Sequence, residues 1–358
     1  LREEYFAHCD ALAAKIRPVA SEERVVPTSH GSTFVSITGP PGAPPLVLLP
    51  GAGATSLMWA QNIRALSAEY RTVAAGRINE MGRSSCTQPV RPLGDIMDWL
   101  NELCDALELH NGINMAGLSY GGALTAQYAL GFPERLRKAV LLAPRATVLR
   151  LSAAFAVRPI MAAIAARRCM PSLFRWMFVD LARKDPGWLD ATFEELFLNM
   201  RILQRRKIPF PPVVSDAGWG SLKVPALFLA GEHEVIYSAK ELLRRLNRVA
   251  PMIKSEVISG AGHDPTLVQA GSVNRLILEF LRNWLRALRA TPALWNRDRP
   301  GSRKCATLLA GLQSRPAGQR LSFESIPQPA RPLAPREVLP VQAAPAGLSD
   351  GPPPSLSE

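Results

Sequence analysis

Between residues 45 and 142, short, mostly apolar runs alternate with stretches whose apolar residues recur every three or four positions. The runs 45–49, 71–75, 113–117 and 138–142 predict strands, and 59–69, 93–107 and 121–131 predict helices. Upstream, residues 1–20 read as a short helix stopped by Pro18. The segments 24–27 and 33–38 alternate like strands between Gly/Pro turns. The alternation resumes after residue 225, with strands 226–230 and 255–258 and helices 239–249 and 273–288. Strands alternating with helices predict an α/β fold with a mostly parallel central sheet covered on both faces.

The pattern breaks twice. Residues 146–220 read as several helices rich in Met, Phe, Trp and Arg. An all-helical insertion between two strands of a parallel sheet predicts a cap over the carboxyl edge of the sheet, where ligands bind. Residues 291–358 hold 12 of the 32 prolines and show almost no apolar periodicity, which predicts a disordered tail. The predicted domains are an N-terminal helical extension (1–21), a catalytic domain (22–145 and 221–290), the helical cap (146–220) and the tail (291–358).

Charge sharpens this division. The chain of 358 residues carries a formal charge of +12. Residues 145–215 contribute +7 and the tail +3, so the scaffold is near neutral. A basic balance confined to one insertion and a tail argues against a nucleic-acid partner. Arg167, Arg168, Arg175, Arg183, Lys184, Arg201, Arg205, Arg206 and Lys207 are expected on a solvated face of the cap. A weaker expectation is that they attract carboxylate-bearing esters or an anionic membrane surface.

Five cysteines without a CxxC spacing read as ordinary thiols rather than a disulfide framework or zinc site. No metal or other cofactor is expected. No apolar leader follows Leu1, and no uncharged apolar run approaches about 18 residues. A cytoplasmic location without an integral membrane segment is expected.

The sharpest chemical signal is Gly117-Leu118-Ser119-Tyr120-Gly121, followed by Gly122. It lies between a predicted strand and a predicted helix, the setting of a nucleophile elbow. A serine hydroxyl needs a base to take its proton. Of the five histidines (His8, His30, His110, His233 and His263), His263 comes last and closes a Ser-Gly-Ala-Gly-His loop after the final strand. It suits the chain order nucleophile, acid, base. The acid should follow strand 226–230, where Glu232 and Glu234 compete; Glu234 is better spaced to turn back toward His263. The earlier position, after strand 138–142, holds Pro144 and Arg145. An oxyanion hole needs two backbone donors. The Tyr120 N–H is one candidate; Ala52, with Gly53 as second choice, supplies the other.

Together these residues resemble the α/β-hydrolase fold over about residues 22–290. More narrowly, the chain resembles bacterial carboxylesterases of the naproxen-esterase (carboxylesterase NP) type. The carrying segments are 45–51, Met58-Trp59 with Asn62-Ile63, Tyr70-Arg71-Thr72, 117–122, 231–237, and Glu256-Val257-Ile258 with Ala261-Gly262-His263. The resemblance implies cofactor-independent ester hydrolysis through an acyl-enzyme, with Ser119, Glu234 and His263 as the triad. Two positions depart from that pattern. Pro50-Gly51 stands where the family usually has His-Gly, and Gly76-Arg77 stands where many relatives carry an Asp. The second departure is expected to affect only loop structure.

The expected function is hydrolysis of small to medium apolar carboxylic esters, with a small-molecule ester as the partner. A lactonase, thioesterase or carbon–carbon bond hydrolase would use the same motifs. A non-catalytic ligand-binding homologue is the alternative of a different class.

Overall fold

The computed structural model describes residues 2–78, 83–88, 90, 92–155, 166–190 and 209–282. Helix α1 (Arg2–Ile16) is followed by a hairpin of β1 (Glu22–Thr28) and β2 (Gly31–Thr38). Next come β3 (Pro45–Leu49), a 3₁₀ turn (Ser56–Trp59), α2 (Ala60–Ser67) and β4 (Arg71–Ala75). Then follow β5 (Ser85–Cys86), α3 (Leu93–Ala106), β6 (Ile113–Leu118), α4 (Tyr120–Gly131) and β7 (Leu136–Leu142). After β7 the described chain forms α5 (Ala166–Met177), α6 (Val179–Lys184) and α7 (Asp216–Gly220). The sheet resumes with β8 (Ala226–Gly231), α8 (Ala239–Val249) and β9 (Lys254–Ile258), and α9 (Pro265–Val268) and α10 (Ala270–Arg282) follow.

The strand order is β1-β2-β4-β3-β6-β7-β8-β9. From β4 to β9 every pairing is parallel; β1, β2 and β5 pair antiparallel. The central strands are predominantly apolar because both faces are covered, with Thr72, Asn114 and Lys138 as buried polar exceptions. In β3, Val47 and Leu49 enter one core, with Trp99 of α3, Leu124 of α4 and Leu242 of α8. Leu46 and Leu48 enter the opposite core, with Leu66 of α2 and Ile277 of α10. Among the described residues, no helix is long and apolar enough to cross a membrane.

Three short elements escape the hydrophobic pattern. Strand β5 has two residues and is held by pairing with the start of β2. The 3₁₀ turn begins ahead of the expected helix because Thr55 caps it through the Leu57 N–H. Helix α9 is four residues long with Pro265 in its first turn. Such pieces are too short to show a period. Between β7 and β8 the described chain forms α5, α6 and α7, alongside turns and bends over 143–149 and an irregular stretch at 209–215. Met161, Phe193, Phe197, Met200, Arg201, Arg205, Arg206, Lys207 and the proline-rich tail lie outside the described residues.

The two-sided core makes a stability prediction. Leu48 in β3 is fully buried, whereas Val257 on edge strand β9 is 42% exposed. Leu48→Ala should cost about 2–5 kcal/mol, and Val257→Ala should stay within about 1 kcal/mol. Urea unfolding midpoints compare the two.

Candidate active site

Strand β6 and helix α4 meet at Ser119 with almost no connecting chain. Its backbone is in the left-handed region, with φ 54° and ψ −111°, a strained conformation for a residue with a side chain. Two neighbours must be glycine to permit it. A Cβ on Gly117 would stand 2.2 Å from the Gly121 backbone, and one on Gly121 would stand 2.3 Å from the Leu49 carbonyl oxygen. Backbone hydrogen bonds hold the turn. The Ser119 N–H donates to Leu142 O (2.9 Å), and Ser119 O accepts from the N–H groups of Ala123 (2.9 Å) and Arg145 (3.0 Å).

The loop after β9 brings His263 to this serine. His263 Nε2 lies 2.8 Å from Ser119 Oγ, and its Nδ1 lies 2.8 Å from Glu234 Oε2. With Nδ1–H donating to the carboxylate, Nε2 is free to accept the serine proton. Glu234 Oε1 accepts the backbone N–H groups of Val235 and Ile236, each at 2.9 Å. The Glu234 side chain is wholly buried and that of His263 is 4% exposed. The imidazole is also pinned from outside: Phe178 stacks on it with a centroid distance of 6.3 Å, and its backbone N–H donates to Met177 O.

Of the two glutamates, it is therefore Glu234 that meets His263. Glu232 is exposed and ties down the start of the histidine loop. Its Oε2 accepts from Ser259 Oγ (2.7 Å) and from the Gly260 N–H (3.1 Å). The Ser259 hydroxyl and that N–H hold its carboxyl below the ordinary range. His233 turns away from the serine and meets Asp180 of α6 at 2.9 Å.

Ser119 and His263 open into a cavity of about 150 Å³. The segment Gly51-Ala52-Gly53-Ala54 forms one rim, and a Cβ on Gly51 would stand 3.6 Å from Ser119 Cβ. The Ala52 N–H has no acceptor among the described residues. Tyr120 is the first residue of α4, where a helix leaves its N–H groups without intrahelical acceptors. Ala52 thus lines the cavity and Tyr120 follows the nucleophile directly in the chain. From the insertion, Phe155, Phe174, Met177, Phe178 and Trp188 line the opposite wall. Trp176 instead packs beside the main core and stacks on Phe155.

Three side chains at or beneath the site do not follow the sequence reading. Arg77, expected to matter only for loop structure, is buried, and its guanidinium lies 4.3 Å from the Tyr120 ring centroid. Burial lowers its pKa to about 9. The same ring meets Phe210 edge-on, and its hydroxyl donates to Pro209 O at 2.5 Å. The residue carrying a candidate oxyanion donor is therefore clamped through its side chain. Arg145, noted in the sequence only as a non-acid, lines the cavity. The described basic residues of the insertion are elsewhere. Arg175 pairs with Asp190 and Arg183 with Asp180, both exposed, and Lys184 donates to Val268 O.

Asp264 is the third. It follows His263 directly, lines the cavity and is fully buried. Neither carboxyl oxygen is in hydrogen-bonding geometry with a donor. Burial pushes its pKa up to about 6, against weaker pulls from its own N–H, from His263 and from the Gly262 N–H; Asp180 adds to the rise. No sequence period marks this residue, since it sits in a loop. Because its folded pKa is raised, the unfolded chain ionises first as pH rises. Its contribution to stability should fall between about pH 4 and pH 6 and stay low above that. Wild-type stability relative to Asp264→Asn should therefore drop by up to about 3 kcal/mol between pH 4 and 7.5. Urea unfolding at several pH values checks this; a difference that does not change with pH would contradict it.

Comparison with known proteins places these features among relatives. The model of the alpha/beta hydrolase family matches residues 46–276. Carboxylesterase YbfK of Bacillus subtilis (strain 168) is 31% identical over 271 residues, 74% of this chain and 89% of that protein. The uncharacterized carboxylesterase nap of the same organism is 34% identical over 270 residues, covering 74% and 87%. The crystal structure of naproxen esterase (carboxylesterase NP) from Bacillus subtilis superposes with a TM-score of 0.72 at 31% identity. That alignment covers 78% of this chain and 97% of the esterase.

Proposed function

Since the chain belongs to the alpha/beta hydrolase family, we propose that it is a serine carboxylesterase acting on small to medium apolar esters. The carrying observation is the continuous relay Ser119 Oγ, His263 Nε2, His263 Nδ1 and Glu234 Oε2, with 2.8 Å at each hydrogen bond. The relay opens into an apolar cavity. The carboxylesterase names of its relatives support the same reading.

Ser119 Oγ attacks the ester carbonyl while His263 Nε2 takes its proton. Negative charge develops on the carbonyl oxygen, and the N–H groups of Ala52 and Tyr120 stabilise it. Collapse expels the alcohol, which receives the proton from His263, and leaves the acyl group on Ser119. A water molecule then attacks the acyl carbon with His263 again as base, releasing the acid and restoring the serine. Glu234 holds the imidazole tautomer and stabilises the imidazolium in both halves. Its two backbone hydrogen bonds keep its other oxygen occupied, so only one oxygen serves His263. The helical insertion 146–220 acts as the cap, and its aromatic residues receive the apolar part of the substrate.

A fluorophosphonate probe should label the wild type and fail to label Ser119→Ala. With nitrophenyl esters of graded chain length, Glu234→Gln should lower turnover by about 10³–10⁴-fold, with only a small loss for Glu232→Gln. Absent labelling together with absent turnover would reject the esterase reading.

A further inference from the structure

Most arginines of the described chain have acid partners. Arg17, Arg71, Arg135, Arg245 and Arg282 each pair with a carboxylate at the surface. Arg145 does not. It is half-buried, it lines the cavity that holds Ser119 and His263, and among the described residues its guanidinium carbon lies 3.9 Å from the ring of Phe210, with a favourable electrostatic contribution from Tyr120. A ring covers one face of the guanidinium and accepts none of its five N–H donors along their fork. The acidic side chain on the same cavity wall, Asp264, has no exposed oxygen and forms no ion pair with Arg145. A guanidinium that lines a largely apolar cavity, with no acid beside it among the described residues, suits an anionic group on the substrate. Consistent with that, burial lowers its pKa.

The position is also fixed relative to the chemistry. The Arg145 backbone N–H donates to Ser119 O at 3.0 Å, so nucleophile and guanidinium are held in one register by the elbow itself. The remaining wall is apolar and aromatic, with Phe174, Phe178, Leu181 and Trp188.

We propose that Arg145 is the specificity residue for esters that carry a remote, ionised carboxylate on an apolar chain. The proposal rests on the esterase reading and names its substrate class. It moves the anion site from the basic residues of the cap to a residue at the end of β7. Bidentate pairing of guanidinium and carboxylate in a partly enclosed, mostly apolar cavity is a strong, geometrically selective contact. A site built to satisfy such a group discriminates against the analogue that lacks it.

Two substrate pairs test it, with rates followed by pH-stat. Monoethyl adipate against ethyl hexanoate places the carboxylate on the acyl side. 4-Butyryloxybutyrate against butyl butyrate places it on the alcohol side. In Arg145→Met, the ratio of kcat/KM for charged over neutral ester should fall by roughly 10- to 100-fold in at least one pair, mainly through KM. Arg145→Lys, which keeps the charge and loses the fork, should restore part of the ratio. Equal losses on both members of each pair, or an unchanged ratio in both pairs, would overturn the proposal. Calorimetric binding of monoethyl adipate and of 4-butyryloxybutyrate to Ser119→Ala, with and without Arg145→Met, separates this failure from that of the parent reading. Dissociation constants differing by less than about threefold for both esters would refute the anion site. Absent turnover of all four esters by the wild type would instead refute the esterase.

Discussion

The chemistry of the site hangs on the backbone of one residue, Ser119, being held at φ 54° and ψ −111° between a strand and a helix. Left to itself, a serine would leave this conformation. It stays because its N–H and C=O are both bonded, across to β7 and forward into α4. Glycine on either side allows the strand, the helix and the β3 loop to close to distances that any Cβ would forbid. The same turn sets the hydroxyl toward His263, starts helix α4 at Tyr120, and fixes the Arg145 backbone nearby. Relaxing it would disturb all three at once.

Around that point the site is built in successive layers of fixation. Glu234 is held by two backbone donors and His263 by Glu234, by Phe178 and by a backbone bond to Met177 O. Tyr120 is held by Arg77, Phe210 and Pro209. Such pre-set geometry is how hydrogen-bond donors and a general base act without reorganising during the reaction. The charged groups nearby contrast with this order. Arg145 and Asp264 both line the cavity, and among the described residues neither side chain forms an ion pair. They are tuned by burial, one downward and one upward. The folded protein carries them at a cost to stability, as functional sites commonly do.

The parts of this arrangement that could be read from the chain are those with a period or a spacing. Strands 45–49 and 71–75 and helix 239–249 coincide with the structure residue for residue, because long apolar runs and helical spacing are imposed by two covered faces. Ser119 and His263 were visible because the elbow requires glycine and because chain order leaves one suitable histidine. Choosing between Glu232 and Glu234 needed only a judgement of reach, and the observed contact agrees with it. Arg77, Arg145 and Asp264 could not be read in this way. Each sits in a loop at a strand end or beside the histidine, where no periodicity exists and where burial depends on segments distant in sequence. Arg145 is one of the basic residues counted in the +7 of residues 145–215, but the count does not single it out. Charge counted over a segment says nothing about which side chains face a cavity.

The central claim is that Ser119, His263 and the two loop N–H groups form one preorganised unit. A crystal structure of the covalent adduct with a small alkyl fluorophosphonate examines it most directly, because the phosphoryl group mimics the tetrahedral intermediate. The account predicts phosphorus on Ser119 Oγ and one phosphoryl oxygen about 3 Å from both the Ala52 and Tyr120 nitrogens. An adduct on another residue, or a phosphoryl oxygen turned away from both nitrogens, would contradict it.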